Sequence, residues 1–167
     1  MDYLEEVEQV KMKVIFLDID GVLNNASTTD RVFGCVGLDD VLLKRLKKIV
    51  AATNAAIYLV SSWKDSWFKD ENKKCLQDIF ANHLDAKFDE YGLKATDKVE
   101  NENISADERG KLIKDFLEHN DVQEFVILDD VEFDYNEEDL EKNFIQTYSK
   151  VGLTEEDVKQ AIEILNK

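Results

Sequence analysis

Four apolar residues in succession, Val14-Ile15-Phe16-Leu17, stop abruptly at Asp18-Ile19-Asp20-Gly21. An apolar run without polar alternation suits a strand covered on both faces, as in a parallel sheet between helices. Two further runs, Ala56 to Val60 and Phe125 to Leu128, also break off in polar residues, Ser61-Ser62 and Asp129-Asp130. In an open parallel sheet, ligands bind beyond the carboxyl ends of the strands. The three polar ends are therefore expected at one edge of a single α/β fold.

The segments between these runs read mainly as helices. A stripe of Val41, Leu42, Leu46, Ile49 and Val50 predicts a helix over 39–52, ended by Asn54. A second helix is expected over 71–84, with Cys75, Ile79 and Phe80 inward, and a short extended piece over 86–91. Ser105 with Glu108 forms a capping-box pattern that would open a helix to Glu118, with Leu112, Ile113, Phe116 and Leu117 on its core face. Phe144 to Tyr148 reads as a weaker strand, and Thr154 as the cap of a last helix with Val158, Ile162 and Leu165 facing in. There is no internal repeat. The 167 residues are expected to form one domain, 1–167, large enough for a substantial core.

Two carboxylates crowded at a strand end repel, and one would have to keep its proton. A bound divalent cation removes that conflict and leaves one Asp free as a nucleophile and the other free to move protons. A calcium loop does not fit, because a helix and not an apolar strand should precede it. The net charge of -16 disfavours extended nucleic-acid binding and leaves room for a local cationic pocket for one phosphate. Cys35 and Cys75 have no metal-ligand spacing and form no disulfide framework, which suits a reducing cytoplasm. The acidic start of the chain (Asp2, Glu5, Glu6, Glu8) is unlike a signal peptide, and no membrane association is expected. His83 and His119 stand alone and read as structural or exposed.

The Asp18-Ile19-Asp20-Gly21-Val22-Leu23-Asn24 segment, the apolar strand ending in serine, and Asp129-Asp130 followed by Asp134 together resemble the haloacid dehalogenase-like (HAD) phosphohydrolases. The likeness covers most of the chain, with the motifs in family order. It implies a Rossmann-like three-layer sandwich with a central, mostly parallel sheet, and a phosphatase reaction through an aspartyl-phosphate with Mg²⁺. On that pattern Asp18 is the nucleophile and Asp20 the general acid and base, its backbone carbonyl also facing the metal. Ser61, preferred over Ser62, would bond a phosphoryl oxygen. Arg109, with Lys111 as the second candidate, would supply the cation that holds the phosphate, beside N–H groups of a helix start. The expected metal set is Asp18, Asp20, Asp129 and Asp130, with Asp134 acting from behind or through a water. Trp63 either lines the pocket or packs.

The segment from Asn24 to Asp39 is short, so the resemblance implies a small cap or none and an open site. Open sites suit a phosphate on a larger body: a nucleotide, a nucleic-acid end or a phosphoprotein. Ser61-Ser62-Trp63 and Gly152-Leu153-Thr154 resemble the compact HAD domains of RNA-repair proteins. The alternatives are a non-catalytic binding protein of the same fold and a small-molecule phosphotransferase or nucleotidase.

Overall fold

The computed structural model describes residues 11–167. The acidic segment with Asp2, Glu5, Glu6 and Glu8 lies outside the described residues. Five strands form an all-parallel sheet in the order β5-β4-β1-β6-β7. They are β1 (Met12–Leu17), β4 (Ala56–Leu59), β5 (Ala95–Lys98), β6 (Val122–Asp129) and β7 (Phe144–Gln146). A two-stranded hairpin, β2 (Arg31–Val32) and β3 (Cys35–Val36), stands apart from the sheet. From β1 the chain winds out to β4 and β5 on one side, then returns to β6 and β7 on the other. The strand order thus reverses between β1 and β6, where such sheets open a binding crevice.

Successive β1 residues feed opposite layers, as the period of two demands. Ile15 and Leu17 join the core beneath α1 (Asp40–Thr53), α2 (Ile79–Glu90) and α4 (Glu155–Leu165). Val14 and Phe16 join the core beneath α3 (Arg109–His119), where Phe16 meets Phe116 edge-on at 5.5 Å. The result is the expected three-layer α/β sandwich, with β1 wholly covered from Val14 to Leu17.

Helix ends follow local chemistry. Asp39 caps α1 by accepting from the Val41 and Leu42 N–H groups, and Asn54 ends it in the left-handed region. Val41 lies in the first turn and is exposed, outside the buried stripe expected for it. Thr154 and Asp157 form a reciprocal capping box at α4.

Three further expectations change, and one strand is added. The helix expected over 71–84 is split. Glu71–Leu76 forms 3₁₀ turns, and α2 begins at Ile79 after Asp78 caps it through the Ala81 N–H. The break falls at Gln77, whose buried amide bonds Phe68, Asn82 and Asp85. The piece over 86–91 continues α2, because Ala81, Leu84 and Phe88 share one buried helical face. β5 was not legible, since this edge strand buries only Ala95. The Ser105–Glu108 box does not form: α3 starts at Arg109, and no side chain of its preceding residue caps it.

His83 binds Asp30 at 2.6 Å, which fastens the hairpin base to α2, and His119 bonds the Asp115 carbonyl of its own helix. Cys35 and Cys75 are free thiols. Among the described residues no helix is long and apolar enough to cross a membrane.

Candidate active site

Leu17 pairs with Leu59 on one side and Leu128 on the other, so three strand ends emerge side by side. The Asp18 N–H still donates to Leu128 O at 2.9 Å, and the Val60 N–H donates to Leu17 O at 3.0 Å. Beyond these bonds the backbones diverge and leave a cleft of about 150 Å³. Asp18, Asp20, Ser62, Arg109, Asp130 and Phe133 are among the residues that line it. A larger open depression of about 790 Å³ runs beside β5, past Trp67, Lys74 and Leu93, but none of the clustered carboxylates borders it.

The loop after β1 is held from several directions. Gly21 has φ of +79°, and a Cβ there would overlap the Asp130 carboxylate, so both conformation and space require glycine. The buried Asn24 amide accepts from the Gly21 N–H at 2.8 Å and donates to Asp20 Oδ1 at 2.8 Å and to Gly37 O at 3.0 Å. Thr147, just past β7, donates its hydroxyl to Gly21 O at 2.7 Å. The other Asp20 oxygen accepts from Trp63 Nε1 at 3.2 Å. Trp63 therefore both packs, edge-on to Phe80, and aims Asp20, which is exposed to the cleft.

Asp129 is fully buried and anchors the opposite wall. It accepts from Arg109 Nη1 at 2.8 Å, the Tyr135 hydroxyl at 2.8 Å and the Val131 N–H at 3.0 Å. Arg109 also reaches Asp18 Oδ1 at 3.2 Å and lies over the Phe133 ring at 4.4 Å. Lys111 is turned away, with its ammonium on Glu108 at 2.6 Å. Two N–H groups at the start of α3 are not left for an anion in the cleft. Asp134 takes them, accepting from Gly110 at 2.5 Å and Lys111 at 3.1 Å. Asp134 is thus the cap of α3 and does not border the cleft.

Burial, and then the charge of Asp129, push the Asp18 carboxyl up to about 8, against the opposing pull of Arg109. Burial also raises Asp130. Burial works against the Arg109 charge, but Asp18 and Asp129 outweigh it and raise its pKa. Burial, then Asp129, raises Tyr135, which keeps its proton and donates.

Carboxylate oxygens of Asp18, Asp129 and Asp130 lie within 4.8 Å of one another, with Arg109 the cation among them. This surplus of negative charge fits a divalent metal ion. Asp129 is already committed to three donors, which leaves Asp18 and Asp130 as the freer oxygens. Two carboxylates suffice for a hard cation that keeps several waters.

Of the residues singled out from sequence, the fold brings Asp18, Asp20, Arg109, Asp129 and Asp130 together at one cleft. Lys111 and Asp134 are elsewhere, for the reasons given. The two serines separate: Ser61 is buried with its Oγ accepting from the Trp63 N–H at 3.2 Å, while Ser62 borders the cleft. Sequence reasoning gave no role to Asn24, Phe133, Tyr135 or Thr147. Asn24 and Tyr135 sit inside or next to the acidic motifs, but their bonds to Asp20 and Asp129 depend on loop geometry that spacing does not encode.

A search of curated proteins finds no match. A family model described as the HAD domain in Swiss Army Knife RNA repair proteins matches residues 14–158, a span from the first core strand into α4. The chain belongs to this family of HAD domains.

Proposed function

We propose that this chain is a Mg²⁺-dependent phosphomonoester hydrolase that works through an aspartyl-phosphate. The observation that carries this reading is the meeting of a buried Asp18, an adjacent Asp20 held by two donors, and Arg109 at one small cleft. Asp18 attacks phosphorus in line with the ester oxygen. Asp20 gives its proton to that oxygen as the P–O bond breaks. In the second half, Asp20 takes a proton from water as the water attacks the acyl phosphate and frees Asp18. Arg109 balances charge on the transferring group, and Ser62, the serine that borders the cleft, contacts a phosphoryl oxygen. The loose transition state needs little beyond positioning and electrostatics, which a rigid cleft supplies. Asp18 and Asp130 would hold the Mg²⁺, which neutralises carboxylate and phosphoryl charge when bound.

The matched family is described from RNA repair proteins, which supports a terminal phosphate on a nucleic-acid strand as substrate. A panel of phosphate esters, including 5′- and 3′-phosphorylated oligonucleotides, tests the reading in Mg²⁺ and in EDTA. Mg²⁺-dependent release of phosphate from at least one ester is expected. No release from any, with tight binding of the same esters, would leave a binding protein instead.

A further inference from the structure

Beyond β7 the chain makes a tight turn from Tyr148 to Gly152, closed by the Val151 and Gly152 N–H groups, which both donate to Tyr148 O at 2.8 Å. The turn is fastened to the active-site loop. Asn25 Nδ2 donates to Val151 O at 2.7 Å, and the Leu153 N–H donates to Val22 O at 2.9 Å. Thr147, its immediate neighbour, bonds both walls of the cleft, with its N–H on Asp129 O at 2.9 Å and its hydroxyl on Gly21 O at 2.7 Å. Gly152, at φ of +78°, lies where a Cβ would strike Leu42 and the Val22 carbonyl. These contacts tie the turn to the loop that carries Asp20 and to the end of β6, at the same edge of the sheet as the cleft.

The side chains on this turn are not used by the fold. Tyr148 is 62 % exposed, Val151 is 43 % exposed, and Lys150 projects into solvent. Among the described residues no carboxylate pairs with Lys150, although the chain carries a net charge of -16. An exposed aromatic ring offers a stacking face to an unpaired base, and a cation two residues away offers a partner to a phosphate, the two contacts by which single-stranded nucleic acid is held.

We propose that this turn is a second subsite, in which Tyr148 stacks on the base adjoining the terminal phosphate and Lys150 pairs with the next phosphodiester. The inference rests on the phosphohydrolase reading and adds to it the place where the strand is held. It orders the substrates. A phosphorylated oligonucleotide uses ring and cation, a mononucleotide the ring alone, and glycerol phosphate or a phosphoserine peptide neither.

The test compares kcat/KM for a terminally phosphorylated single-stranded oligoribonucleotide with that for glycerol phosphate. Tyr148→Ala and Lys150→Glu should each lower this ratio about tenfold, chiefly through KM. Lys150→Glu should also flatten the log-affinity against log-salt slope by about one for the oligonucleotide. Lys94→Glu, just before the edge strand β5, is the charge control and should leave the ratio alone. Binding of the fluorescently labelled oligonucleotide to the wild type and both variants, followed by anisotropy, reads the subsite without turnover. Weakened binding by both variants with no hydrolysis of any ester would sink the catalytic reading and keep the subsite. An unchanged ratio and unchanged anisotropy, or a wild-type preference for the phosphoserine peptide, would overturn the subsite.

Discussion

Asp134 caps the helix that carries Arg109, its Oδ1 accepting from the Gly110 N–H at 2.5 Å. The guanidinium is therefore positioned from both ends: Asp129 and Phe133 hold the tip, and Asp134 holds the backbone. Asp134→Ala should cost about 1 kcal/mol of stability, the usual loss for a missing cap, read as a lower urea midpoint. It should lower kcat/KM about tenfold while the protein remains folded, whereas Asp134→Asn should recover part of the loss. Gly110→Ala should behave similarly, since a Cβ there would stand 2.7 Å from the Asp134 carboxylate.

Asp18→Asn keeps the shape and stays neutral at every pH, as the buried Asp18 carboxyl does below about 8, so without metal the variant should be at least as stable as the wild type at neutral pH and clearly the more stable of the two above pH 8. Phosphatase turnover should drop by at least about a thousandfold, because an amide is no nucleophile here. Circular dichroism and a phosphate-release assay on the same preparation check both halves.

The central sheet and the acidic edge were legible because the responsible residues are local in sequence. Val14 to Leu17 state a doubly covered strand, and Asp18, Asp20, Asp129 and Asp130 mark where two such strands end. What could not be read depends on contacts between distant segments. Asp134 looks like part of an acidic metal motif, and only the approach of α3 to the loop after β6 turns it into a helix cap. Lys111 and Arg109 are equivalent by spacing, but two residues along a helix point about 200° apart, so only one can face the cleft. β5 lacks an apolar signature because an edge strand has little to bury, and the hairpin turn at Phe33-Gly34 places an exposed Phe at positive φ against its usual preference.

Trp63 donates to Asp20 Oδ2, and the same indole packs against Phe80 at 5.4 Å. Trp63→Phe keeps much of the packing and removes the donor. The donor fixes where Asp20 points, so a tenfold or greater fall in kcat is expected, with KM little changed. A matched fall in the thermal midpoint large enough to unfold the protein would instead mark Trp63 as a packing residue alone.

The raised Asp18 carboxyl makes metal-free stability depend on pH with a definite sign. Its ordinary value is 3.8, and in the folded protein burial and Asp129 lift it to about 8. Between those values the folded state holds a proton that the unfolded chain has lost, so stability falls as pH rises from about 4 to about 8. In EDTA the melting temperature should therefore decline across this window, and Asp18→Asn should remove most of the decline. Mg²⁺ stabilises by binding the folded state and must displace that proton, so the rise in melting temperature at fixed Mg²⁺ should be larger at pH 8 than at pH 6. A metal-induced rise independent of pH would mean that the ion does not sit on Asp18.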